Sequence, residues 1–181
     1  MTIVLILLAA LAPALVSAQA REVGALSETY QSAAIDADGN LSIVTTTGQR
    51  AIVRKEGEQT SFSRPVISAD RTAVAAQALV GNCCTSYDIP VQVVVYARGR
   101  THRFNGDGMA IFKWGFADAG TRIAYGKEPV HFGCGVDYDL RDIESERLIE
   151  SIEIPEPCGQ NPNPKPVKVP EWVAKLKGAP R

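Results

Sequence analysis

The sequence predicts an all-β protein of antiparallel sheets, ending in a Pro-rich arm with one short helix. Three observations predict it. Nearly every periodic segment is β-branched or alternates at the strand period of two. Glycine turns separate these segments, at Asp38-Gly39, Arg98-Gly99, Asn105-Gly106 and Asp107-Gly108, and connections this short cannot make the crossover that parallel strands need. The chain also lies over itself once, at the spacing of one supersecondary unit.

The elements follow in order. Residues 1–20 carry no charge, and their Leu, Ile, Val and Ala run ends in two small-x-small triplets, Val16-Ser17-Ala18 and Ala18-Gln19-Ala20, before the polar Arg21-Glu22. This pattern reads as a signal peptide cleaved near residues 18–20, and so as a protein exported to the periplasm or secreted. Retention as an uncleaved anchor is the competing reading, because the run is close to spanning length and its start lacks Lys or Arg. Residues 21–156 then form the β-rich domain and 157–181 a Pro-rich basic tail. Within the domain, 29–34 reads as a short helix, and 41–47, 50–55, 72–80, 91–98, 100–104, 136–140 and 147–152 read as strands. In the tail, 171–177 reads as helix.

Formal charge is −1 over 181 residues, so there is no global basic field to hold nucleic acid. The tail, however, carries Lys165, Lys168, Lys175, Lys177 and Arg181 against Glu171, which leaves the body acidic. Its expected contact is another protein or its own acidic body, with no membrane contact once the signal is removed. Trp172 ends a stretch punctuated by Pro155, Pro157, Pro162, Pro164, Pro166 and Pro170. Such a stretch is extended, and an aromatic at its end anchors it. Trp172, Lys165 and Lys168 are therefore the candidate partner-binding residues.

The internal match lays Pro65-Val66-Ile67-Ser68-Ala69-Asp70-Arg71-Thr72-Ala73-Val74-Ala75 over Trp114-Gly115-Phe116-Ala117-Asp118-Ala119-Gly120-Thr121-Arg122-Ile123-Ala124. Each copy is an apolar strand end, an Ala and Asp turn, then an apolar strand. Residues 116–124 resemble the repeat of the WD40-like propellers of the TolB type, in which an apolar residue, Ser-x-Asp-Gly and a strand mark each blade. The resemblance covers about residues 60–155 and implies two to three blade-like units, with 41–55 as the outer half of an incomplete one. A closed propeller needs at least about four blades, so an open, sandwich-like stack is expected rather than a ring completed by several chains.

Four cysteines in an exported chain point to disulfides. Cys83 and Cys84 precede the third strand of one copy, Cys134 holds the equivalent loop of the next, and Cys158 follows its last strand, so all four are expected at one end of the sheets. The first pairing is Cys134 with Cys158, leaving Cys83 and Cys84 as a vicinal bridge or free thiols; the runner-up joins Cys134 to Cys83 or Cys84. A thiolate and imidazole set of Cys83, Cys84, His131 and Cys134, suited to zinc or copper or to thiol redox chemistry, is the competing reading.

Other candidates are weaker. Asp36-Ala37-Asp38-Gly39-Asn40 starts like a calcium loop but puts Thr47 at position twelve, so it reads as a hairpin turn. Asp137 and Asp139 share one strand face and read as a solvated face before paired catalytic carboxylates. Asn40-Leu41-Ser42 fits a glycosylation sequon. Phe112, Trp114 and Phe116 read as core. There is no nucleophile elbow, phosphate loop or metalloprotease helix, and only His102 and His131 are available to a triad. The expectation is a non-catalytic exported binding module without a cofactor; the alternatives are the metal or redox protein and a hydrolase with no recognisable motif.

Overall fold

A computed structural model describes residues 28–83, 86–131, 133–159 and 161–177. The predicted signal segment lies outside them. The described chain is all-β, with eleven strands in three open antiparallel sheets and one C-terminal helix.

The first sheet holds β1 (Tyr30–Ile35), β2 (Leu41–Thr45) and β3 (Arg50–Val53). The second is a meander of β4 (Gln59–Ile67), β5 (Ala73–Val80), β6 (Ile89–Ala97) and β7 (Arg100–Asn105). The third repeats that order with β8 (Ala110–Ala117), β9 (Arg122–Glu128), β10 (Gly135–Asp142) and β11 (Leu148–Pro155). Helix α1 spans Glu171–Lys177.

The three sheets stack face to face. Tyr30, Leu41, Ile43 and Val53 pack on Phe62, Val74, Ala76 and Val94 of the second sheet. The opposite face of that sheet, with Ala73, Ala75, Val93 and Val95, packs on Ile111, Trp114, Ile123 and Tyr125 of the third. β5 is thus covered on both faces, which explains why its sequence, Ala-Val-Ala-Ala-Gln-Ala-Leu-Val, is apolar except for Gln77 and rich in small residues. The outer face of the third sheet is covered differently, by Val173 and Leu176 of α1 seated on Ala124, Val136, Tyr138 and Leu140.

The helix expected over 29–34 is corrected: these residues belong to β1, paired with β2 from Tyr30↔Thr45 to Ile35↔Leu41. Ala33 and Ala34 carry helix propensity, but Ala33 and Ile35 pack on the core at a period of two, and burial of Tyr30 decides the conformation.

Side-chain hydrogen bonds build the turns. Asp36 accepts from the amides of Asp38 at 3.0 Å and Asn40 at 2.8 Å, and Gly39 turns with φ of 81°, closing the β1–β2 hairpin. Between β4 and β5, Ser68 Oγ donates to Asp70 at 2.6 Å while Asp70 accepts from the amide and hydroxyl of Thr72. The corresponding turn before β9, a 3-10 turn over Asp118–Gly120, presses against this one. A Cβ on Gly120 would lie 2.6 Å from both Ser68 Cβ and Asp70 Oδ1, so only glycine fits.

Candidate functional site

β5 and β9 run out at the same end of the stack, into the connections 81–88 and 129–134. Tyr87 and Asp88 from the first, and Pro129 and Val130 from the second, line one cleft of about 570 Å³. Gln77, Phe112 and Glu128 also line it between the sheets.

Two β-bulges shape this cleft. β4 is bulged between Ser63 and Val66, with Arg64 at φ of 51°, and β8 between Ala110 and Lys113. Bulges leave residues out of the ladder, and here side chains of the neighbouring sheet take up the carbonyls. Gln77, itself buried, donates to the Ile111 carbonyl at 2.6 Å, and Arg64 donates to the Phe112 carbonyl at 3.3 Å. At the rim, Thr60 donates to Asp88 at 2.6 Å and holds the β5–β6 connection against β4, while the Tyr87 ring stands 56% exposed beside it.

Sulfur fastens the same end. Cys134 and Cys158 form a disulfide that ties the β9–β10 connection to the chain just past β11, and the Glu156 amide adds a hydrogen bond to the Cys134 carbonyl at 2.8 Å. This is the first of the pairings expected from the sequence. The runner-up, Cys134 with Cys83 or Cys84, is excluded by it, and so is a vicinal bridge, since Cys83 is a free, exposed thiol. Cys84 lies outside the described residues. The proposed ligand set therefore loses Cys134 to the bridge, and among the described residues no group of three or more His, Cys, Asp or Glu stands close enough to hold a metal ion. His131 sits on the β9–β10 connection, three residues before the bridged cysteine.

The Asp pair is not the solvated face the alternation suggested. Asp139 is 2% exposed, faces the second sheet, pairs with Lys127 at 3.0 Å and Arg141 at 3.6 Å, and accepts from Ser151 at 2.8 Å. With two cations and a hydroxyl around it, this buried carboxylate is tied into the frame of the third sheet. Asp137 is half-buried on the same strand face.

The sequence reading passed over one neighbouring feature. His102 is 4% exposed on β7, with Nδ1 3.0 Å from Glu146 on the β10–β11 connection. Arg100 pairs with Glu144 on that same connection, so β7 is held to the third sheet by one ion pair and one hydrogen bond. The period of two that places Phe104 in the core also turns His102 inward, and that was the available signal. Burial pushes the nearby Tyr125 hydroxyl up to about 12.

In the tail, Lys165 and Lys168 are exposed on an extended run. Trp172 lies against the third sheet of its own chain, donating from Nε1 to Glu150 at 3.0 Å. Phe112 lines the cleft, and Trp114 and Phe116 meet edge to face at 6.4 Å at the core margin. Asn40 of the sequon is engaged in the β1–β2 turn, donating to Asp36 and accepting from the Lys55 amide.

No family model matches the chain, and no curated protein matches it.

Proposed function

We propose that this is an exported, non-catalytic binding module, whose stacked β-units serve as a rigid platform for the cleft at the disulfide end. The observation that carries the reading is that cleft. Two connections from different sheets converge on it, a disulfide fastens one of them, and side chains already take up the Ile111 and Phe112 carbonyls at its wall. A rigid concavity with aromatic and proline walls and a few fixed polar groups suits recognition, and two of its charged side chains are already engaged, Asp88 by the Thr60 hydroxyl and Arg64 by the Phe112 carbonyl.

The units themselves we read as blade-like repeats. Supporting this, the two segments that align in sequence fall on β4–β5 and β8–β9, the first hairpins of the two four-stranded meanders. Export is supported by the apolar leader and agrees with a disulfide.

A protein NMR screen with short peptides and small aromatic fragments tests the reading. Shifts are expected to concentrate at Tyr87, Asp88, Val130 and Gln77, and Tyr87→Ala is expected to weaken the strongest binder by roughly tenfold, as loss of an aromatic contact does. Shifts centred elsewhere overturn the site. Hydrolysis of an ester, peptide or glycoside panel that is abolished by Asp137→Asn or His131→Ala overturns the non-catalytic reading.

A further inference from the structure

We infer that α1 is a displaceable cap, and that what it excludes is the first sheet of a second copy of this chain. The inference starts from a repeated operation. The first sheet stacks on the second, and the second on the third, each through a mostly apolar face. The third sheet offers such a face again, with Ala124, Val136, Tyr138, Leu140, Ile152 and Ile154, but the next layer is a helix of seven residues. A helix this short has no stability of its own and is held here through Val173, Leu176 and the Trp172–Glu150 hydrogen bond. It also fills the face incompletely, since a groove of about 580 Å³ runs along its flank between Trp172, Lys175 and the edge strand β8.

Among the described residues, no further layer covers the other end of the stack. Cross-strand register places two rows on the outer face of the first sheet, Ser32–Val44–Arg50 and Ala34–Ser42–Ile52. Four of these residues are exposed, Ile52 by 50%, and only Arg50 is charged. A solvated sheet face is ordinarily loaded with charge; this one carries a single charge among its six residues. Adding the first sheet of one copy to the third sheet of another would continue the intramolecular stacking in the same direction. Such a contact is heterologous, and it either closes a ring or grows.

The arm is built for this exchange. The Cys134–Cys158 bridge fixes its root, so a released helix stays tethered and can return. Gly115 lets the helix approach, because a Cβ there would meet Leu176 Cδ2 at 3.1 Å.

The test uses the full chain with Val173→Asp and Leu176→Asp together, which expels the helix without altering either sheet. Sedimentation velocity is expected to show a monomer for the parent protein and concentration-dependent association for the variant. Adding Ile52→Lys and Val44→Glu on the first sheet is expected to return the variant to monomer. A folded variant that stays monomeric overturns the inference, and so does association that ignores the first-sheet substitutions, which would mean nonspecific clustering through the uncovered face. If the double variant does not fold, Trp172→Ala carries the same test: it is expected to associate more weakly and still depend on Ile52, and a monomer at every concentration overturns the proposal.

Discussion

Gly120 resists replacement for purely geometric reasons. Its φ of 121° and the 2.6 Å approach to Ser68 and Asp70 leave no room for a methyl group. Gly120→Ala is expected to cost about 2–4 kcal/mol from strain and displaced packing, read as a fall in the urea midpoint. Asp70 in the same contact is titratable. Burial works to raise its carboxyl, but hydrogen bonds from Ser68 and Thr72 outweigh burial and hold it below the ordinary 3.8. A lowered value stabilises the fold above the ordinary value, and this contribution disappears as pH falls through the folded one. Asp70→Asn is therefore expected to lose about 1 kcal/mol at pH 7, with the gap to the parent narrowing below about pH 4 in urea titrations at several pH values. The alignment of Ser68-Ala69-Asp70 with the second turn was visible in the chain; that the two turns touch was not, because contact between equivalent positions depends on how the sheets stack.

At the scale of elements, β5, β6 and β7 were plain because apolar and β-branched runs with glycine turns allow little else, while of β4 only the strand end near 65–67 was read. β1 was misread because Ala33 and Ala34 favour helix locally, and the burial of Tyr30 that overrides them comes from residues as distant in the chain as Val94 and Tyr96. The bulges in β4 and β8 left no legible trace: an extra residue in a ladder has no composition of its own. The cysteine pairing was legible because strand order alone brings Cys134 and the end of β11 together. Replacing both cysteines, Cys134→Ser with Cys158→Ser, opens a loop with a separation of 24 residues and is expected to cost roughly 3 kcal/mol in the chain-entropy model. The readout is the thermal midpoint of the oxidised parent against the variant; reductant is expected to lower the parent towards the variant and leave the variant unchanged.

At the scale of the molecule, two buried tyrosines set the alkaline limit. Burial, then the nearby Glu28 carboxylate, push Tyr30 up to about 12, and burial pushes Tyr125 to the same region, against an ordinary 10.0. Raised values leave the fold at full stability below pH 10 and weaken it as pH climbs towards 12. Tyr30 belongs to the interface between the first and second sheets and Tyr125 to that between the second and third, so ionisation opens both. Unfolding followed by near-ultraviolet absorbance is expected to be cooperative with tyrosinate formation, and Tyr125→Phe to flatten its onset. Layers joined only by hydrocarbon slide easily past one another. In this stack the Gln77 amide and the Arg64 guanidinium each reach across to a single carbonyl on β8, acting as shear pins between the second and third sheets. The width of the cleft is therefore set by two polar contacts rather than by the grease around them, and a ligand would meet a gap already cut to size.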